Sequence, residues 1–270
     1  MAGSRRVLPI GVFDSGVGGL SVLNALRAEL PRERFVYFAD TANAPYGERG
    51  EDFVTQRTLA IATDLVERHR IKALVVACNT ATAAAIHLVR ATYPALPVVG
   101  VEPALKPAVA LSVTRNIGVL ATRGTLDSLK FKKLHDSLAQ QARFRLVPCD
   151  GLAAAIESSN TAGITELCAR YMQAAGRFGT TPDRVDTVVL GCTHYPFVAA
   201  ELRRHAGPGV RLIDTGAPVA QQTRRLLAAA GTLAQEGDDD VATVLETSGA
   251  PEALVAAAAR WLHQPVVLAS

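Results

Sequence analysis

Two cysteines, Cys78 and Cys192, close apolar runs in matching contexts: Val75-Val76-Ala77-Cys78-Asn79-Thr80 and Val188-Val189-Leu190-Gly191-Cys192-Thr193. A thiol at a strand end and ahead of a helix lies near backbone N–H groups and the positive end of the helix dipole. Both favour the thiolate. Asn79, Thr80 and Thr193 are short polar residues suited to cap those helices or to donate to a ligand carboxylate. Two activated thiols in like settings suit a nearly symmetric reaction. Racemisation is one: a base takes a proton from a carbon and a second acid returns one to the opposite face. One thiolate and one thiol would exchange roles between enantiomers. A buried cysteine is otherwise often a small core hydrophobe. We read Cys149 that way for want of the flanking pattern, and Cys168 because it falls within a helical stretch. Oxidation would abolish thiol chemistry, so a reducing compartment is required.

Parallel α/β sheets bind ligands beyond the carboxyl ends of their strands, where loops lead into helices. Besides the two thiols, Asp14-Ser15-Gly16-Val17-Gly18-Gly19 and Ala44-Pro45-Tyr46-Gly47 fall at such places. The glycines let backbone amides approach a small anion, with Ser15 donating as well. Asp14 can orient an ammonium group or hold a neighbouring base; the plainer role is a helix N-cap. His194, two residues beyond Cys192, can raise the local positive potential or share a proton with the thiol. The other histidines, His69, His87, His135, His205 and His263, stand in no such cluster and read as helix-surface residues. A dinucleotide fingerprint is the competing reading of the glycine loop, with Asp40 as its ribose-binding acid. Its third glycine position falls on Ser21, which counts against it, and no Walker A sequence occurs.

Elements of the right kind stand ready to position these groups. Strand-like runs at 9–13, 34–39, 73–77, 97–101, 116–120, 142–147, 187–190, 210–213 and 241–245 alternate with helical patterns. The clearest helices are 51–69, 80–92, 126–140, 163–178, 217–230 and 251–263. This alternation implies βαβ crossovers and parallel sheets covered on both faces. The chain also repeats weakly: Ile10-Gly11-Val12 returns as Ile117-Gly118-Val119, and the Cys78 strand returns as the Cys192 strand in the same order. Two like-built α/β halves follow from that duplication.

The 270 residues are 49% hydrophobic and 20% charged, which excludes disorder, and the net charge of +3 is scattered. No basic stripe speaks for nucleic acid. No apolar stretch reaches the roughly 18 residues of a membrane span, and Asp14 interrupts the apolar run behind the basic N-terminus, so we expect a cytoplasmic protein. The four cysteines form no Cys-x-x-Cys pair, which argues against a structural zinc site or a disulfide scaffold. Residues 236–240, an acidic run, read as a solvated loop.

Taken together, four segments resemble glutamate racemase within the aspartate/glutamate racemase superfamily. They are Gly11-Val12-Phe13-Asp14-Ser15-Gly16-Val17-Gly18-Gly19-Leu20-Ser21-Val22, Asp40-Thr41 with Pro45-Tyr46-Gly47, Ala77-Cys78-Asn79-Thr80-Ala81, and Leu190-Gly191-Cys192-Thr193-His194-Tyr195-Pro196. The resemblance runs from residue 9 to about residue 231 and is specific because all four motifs occur in order. It implies Cys78 and Cys192 as catalytic bases, assisted by Asp14 and His194 on their respective sides. Asp14, Ser15, Tyr46, Gly47, Asn79, Thr80, Thr193 and His194 would contact substrate, and Glu157, in a more weakly matched segment, would be a further catalytic residue. The implied fold is two similar α/β domains, 1–100 with 214–270 and 101–213, related by pseudo-two-fold symmetry with the active site in the cleft between them. The implied activity is cofactor-independent interconversion of L- and D-glutamate, supplying D-glutamate for peptidoglycan, with no metal, no nucleic acid and no membrane partner. A homodimer is a candidate assembly. Two other readings stay open: a relative such as an aspartate racemase or a thiol-dependent decarboxylase, and a non-enzymatic anion- or nucleotide-binding module.

Overall fold

Runs rich in Val, Ile, Leu and Phe become strands because branched and aromatic side chains fit a pleated surface, and they can be apolar throughout when both faces are covered. The computed structural model describes residues 6–236, 242–262 and 267–268. Burial is complete along β1 (Ile10–Asp14), β3 (Ala73–Val76) and β7 (Thr187–Gly191). The remaining strands are β2 (Phe35–Ala39), β4 (Val98–Gly100), β5 (Asn116–Ala121), β6 (Arg143–Pro148), β8 (Arg211–Ile213), β9 (Thr243–Thr247) and β10 (Val267–Leu268). They form a six-stranded sheet in the order β10-β9-β2-β1-β3-β4 and a four-stranded sheet in the order β6-β5-β7-β8. Every strand pairing among the described residues is parallel. The expected class, parallel-sheet α/β with two sheets, is the one observed.

The duplication seen in the sequence is also a duplication of topology. The core order β2-β1-β3-β4 of the first sheet reappears as β6-β5-β7-β8 in the second. Ile10-Gly11-Val12 and Ile117-Gly118-Val119 therefore lie on equivalent strands, and each cysteine follows the third strand of its set. The chain divides into two compact units: the described parts of residues 1–46, 50–101 and 216–270 in one, and residues 47–49 and 102–215 in the other.

Helices fill the connections. The first unit carries α1 (Leu20–Glu29), α2 (Glu51–His69), α3 (Asn79–Thr92), α10 (Gly216–Ala229) and α11 (Pro251–Trp261). The second carries α4 (Leu105–Leu111), α5 (Arg123–Asp127), α6 (Leu129–Asp136), α7 (Leu152–Glu157), α8 (Thr161–Ala175) and α9 (Ala199–Ala206). In the first unit α10 packs on α1 and α2 on α3. Apolar clusters sit on the sheets: Phe13, Leu74, Val76 and Leu65 in one, Leu120, Val188, Met172 and Leu202 in another. No helix among the described residues is long and apolar enough to cross a membrane.

Several expectations are corrected. The single helix expected over 126–140 is two helices, broken where Ser128 adopts extended angles (φ −63°, ψ 143°) and its hydroxyl accepts from the Phe131 N–H. A serine that caps a new helix interrupts the old one. Asp14 is not a helix N-cap: Gly19 occupies that position of α1, and no side chain caps it. His135 is half-buried rather than a plain surface residue, stacked on Phe131 and edge-on to Phe144. The strand expected at 241–245 runs over Thr243–Thr247, in register with β2 through the pair Phe35–Thr243. Residues 1–5, 237–241 and His263 lie outside the described residues.

Candidate active site

The thiol of the first unit is placed by the turn from β3 into α3. Cys78 is the N-cap of this helix, with extended backbone (φ −120°, ψ 121°), and its Sγ accepts from the Ala81 N–H at 3.4 Å. A sulfur at that position sits on the free amides and positive pole of a 14-residue helix, which favours negative charge there. The Cys78 thiol also donates to Ser15 Oγ at 3.7 Å, and Ser15 donates its hydroxyl (3.3 Å) and its backbone N–H (2.7 Å) to Asp14 Oδ1. Cys78, Ser15 and Asp14 are buried at the adjoining ends of β1 and β3. Gly19 is required beside them: a Cβ there would lie 2.6 Å from the Asp14 Cβ and 2.9 Å from the Tyr37 hydroxyl.

Asn79, the first residue of α3, is 4% exposed, and neither its Oδ1 nor its Nδ2 has a hydrogen-bond partner. Thr80 beside it is buried as well. A buried amide left unmatched costs about 1–3 kcal/mol, so such a group beside the Cys78 thiol is suited to pair with a ligand.

In the second unit β7 ends at Gly191, where a Cβ would collide with the Leu120 carbonyl and the Ala121 Cβ, both at 2.9 Å. Cys192, Thr193 and His194 follow, all buried, before the short 3₁₀ turn Tyr195–Val198. The Cys192 Sγ lies 3.6 Å from His194 Nδ1, and His194 Nε2 lies 2.6 Å from Glu157 Oε1. Glu157 is the last residue of α7. Burial opposes charge on His194, but its bonds to Cys192 and Glu157 outweigh it and hold the imidazole pKa well above its ordinary value.

Each thiol is thus backed by a carboxylate through one intervening side chain: Cys78–Ser15–Asp14 in one unit, Cys192–His194–Glu157 in the other. The remaining cysteines differ in kind. Burial pushes the Cys149 thiol far up and that of Cys168 up to about 12; the apolar cluster of the second unit holds both, along with Cys192.

Asp40 is not open to a ribose. Arg57 grips it with two bonds, Nε to Oδ2 at 2.9 Å and an Nη to Oδ1 at 2.7 Å. The Tyr46 hydroxyl adds a third at 2.5 Å and Asn43 a fourth at 3.0 Å. Burial works against the Asp40 charge, yet these donors outweigh it and hold its carboxyl below the usual carboxylate range. Tyr46 is 1% exposed, its ring between Phe13 and Phe53, so its side chain belongs to the core. Gly47 follows it in the 3₁₀ turn Tyr46–Glu48. Arg57 has no motif around it in the sequence; its partner lies 17 residues away, from mid-helix to strand end.

Each of the two parallel α/β sheets thus carries a buried thiol just after its third strand. The chain belongs to the Asp/Glu/Hydantoin racemase family, whose model matches residues 10–223. It is 48% identical over 228 residues to a glutamate racemase of Pseudomonas syringae pv. tomato, covering 84% of this chain and 81% of that one. It is 49% identical over 229 residues to a glutamate racemase of Ralstonia nicotianae, covering 84% and 80%. Among solved structures, glutamate racemase isoform RacE1 of Bacillus anthracis superposes with a TM-score of 0.85 at 30% identity, over 98% of this chain and 97% of that chain. Escherichia coli glutamate racemase in complex with L-glutamate and the activator UDP-MurNAc-ala gives 0.79 at 32% identity, over 94% and 95%.

Proposed function

We propose that this chain is a glutamate racemase that uses Cys78 and Cys192 as its two bases, without an added cofactor. The observation that carries the reading is the pair of thiol–acid relays, one behind each strand-end cysteine. In one direction the Cys78 thiolate would remove the α-proton and the Cys192 thiol would deliver one to the other face; the reverse substrate exchanges the roles. Asp14, through Ser15, fixes the proton of Cys78, and His194, held by Glu157, is the proton store for Cys192. The α-carbon beside a carboxylate is a weak acid, so fixed donors must hold that carboxylate while the carbanion forms. Asn79 is suited to this with its unpartnered amide, and Thr80 and Thr193 with their hydroxyls. Because the Tyr46 side chain is turned into the core, contact from Tyr46 and Gly47 would come from main-chain N–H groups.

The mechanism requires both thiols at one substrate carbon. A reducing cytoplasm suits them, and the product would feed peptidoglycan synthesis. A homodimer, if formed, is read directly by sedimentation. The saturated surroundings of Asp40 leave the dinucleotide reading without its ribose acid.

The test is purified, reduced protein in deuterated water with glutamate alone. Either enantiomer should approach the racemate, with solvent deuterium at the α-carbon of the newly formed enantiomer. Failure of both signals sinks the proposal. Racemisation of aspartate in preference to glutamate would leave the chemistry standing and change the substrate.

A further inference from the structure

We infer that Arg57 is a positioning residue for the substrate loop: through Asp40 it locks Tyr46, and with it the main chain that meets the substrate. The inference rests on the proposed reading of the Tyr46–Gly47 segment as a substrate contact.

The loop from Asp40 to Glu48 holds two short 3₁₀ turns, Thr41–Asn43 and Tyr46–Glu48. Turns this short have little internal hydrogen bonding, so side chains must fix their conformation. Asp40 is the hub. Its backbone N–H donates to the Asp14 carbonyl at 3.0 Å, its carbonyl accepts from Asn43 at 2.9 Å, and its carboxylate takes the four bonds described above, with a further side-chain bond from Ser248. Two of the four come from Arg57, whose planar fork matches a carboxylate in both distance and direction. Tyr46 hangs from the same carboxylate and packs in the cluster that includes Phe13 and Cys78. Arg57 therefore sets the orientation of Asp40, and Asp40 that of Tyr46.

The arrangement separates this role from plain structural support. The Arg57 side chain is 32% exposed, while that of Asp40 is at 0%. Removing the guanidinium admits water at a partly exposed position and opens no dry cavity in the core. The unit keeps its fold, and Asp40 keeps its Tyr46 and Asn43 donors but loses the fork that fixes its plane. A displaced binding loop weakens ground-state and transition-state contacts together, so the cost falls on KM.

The experiment compares wild type, Arg57→Ala and Arg57→Lys in racemisation of both glutamate enantiomers, alongside thermal melting. For Arg57→Ala we expect KM to rise roughly tenfold or more in both directions with kcat little changed. Arg57→Lys, which keeps the charge but only part of the fork, should fall between. Millimolar guanidinium should restore KM of Arg57→Ala, whereas equal concentrations of sodium chloride should not. KM within about twofold of wild type in both folded variants overturns the inference. So does a loss confined to kcat, or a collapse of the melting transition in both variants, which would make the clamp purely structural. If wild type itself does not act on glutamate, the functional proposal fails first, and the two failures are told apart.

Discussion

At the scale of single residues, the four cysteines divide into two kinds by what backs them. Cys78→Ala and Cys192→Ala should each lower kcat/KM by roughly 10³-fold or more while leaving the urea midpoint near wild type. Enantiomers are equal in free energy, so the loss must be the same for L- and D-glutamate in every variant; progress curves from both sides check this. Cys149→Ala and Cys168→Ala should keep activity and lose only packing, about 1–2 kcal/mol in urea unfolding. His194 supplies a pH signature of its own. Its folded pKa is raised, so its stabilisation is complete below the pKa of an unfolded histidine, about 6.5, and is lost as pH rises through the folded value. The urea midpoint of wild type should therefore fall on the alkaline side of neutrality relative to His194→Gln, which should lack that component. Parallel pH dependence in both proteins would show that His194 is not the group responsible. Cys78 and Cys192 could be picked out beforehand because their neighbours are local in sequence. Arg57 could not, since its partner is reached only across a helix and a loop, and Tyr46 could not be seen to turn inward before Phe13 and Phe53 were placed around it.

At the scale of elements, turn chemistry fixes where each thiol points. The β3–α3 turn makes a cysteine serve as N-cap, and the β1–α1 turn needs Gly19 because Asp14 and Tyr37 occupy the space a side chain would fill. Gly19→Ala should cost about 1–3 kcal/mol in urea unfolding through overpacking, and should reduce racemisation by displacing Asp14. Unchanged values in both assays would show that the loop relaxes at no cost. Strands were readable in the sequence because fully covered parallel strands are continuously apolar. The break at Ser128 was not, because the amphipathic pattern runs through it while a hydroxyl–backbone bond redirects the chain. The short helix α7 leaves no clear periodic signal for want of length, yet it is the element that delivers Glu157 to His194.

At the scale of the whole molecule, the repeated strand order β2-β1-β3-β4 and β6-β5-β7-β8 accounts for the matching positions of the two thiols. The faint sequence repeat is what survives of that equivalence, kept where glycine, cysteine and buried aliphatic residues meet fixed geometric demands. The copies differ in completion. The second unit is nearly continuous, whereas the first recovers α10, β9, β10 and α11 only after the chain has passed through the second. Vectorial synthesis meets these two bodies in unequal states. When residue 101 leaves the ribosome, β2 still lacks its neighbour β9 and α1 still lacks α10. An unpaired strand edge and a bare helix face then wait through the making of more than a hundred further residues, a span in which chaperone capture and aggregation compete with folding. A fragment covering 102–215 should show a cooperative unfolding transition alone, and one covering 1–101 should not. Ordered circular dichroism and melting of the 1–101 piece would contradict this. The nascent first unit is therefore exposed from the emergence of residue 101 until α10 and β9 arrive, and α10 and α11 act as the latch that ends that exposure.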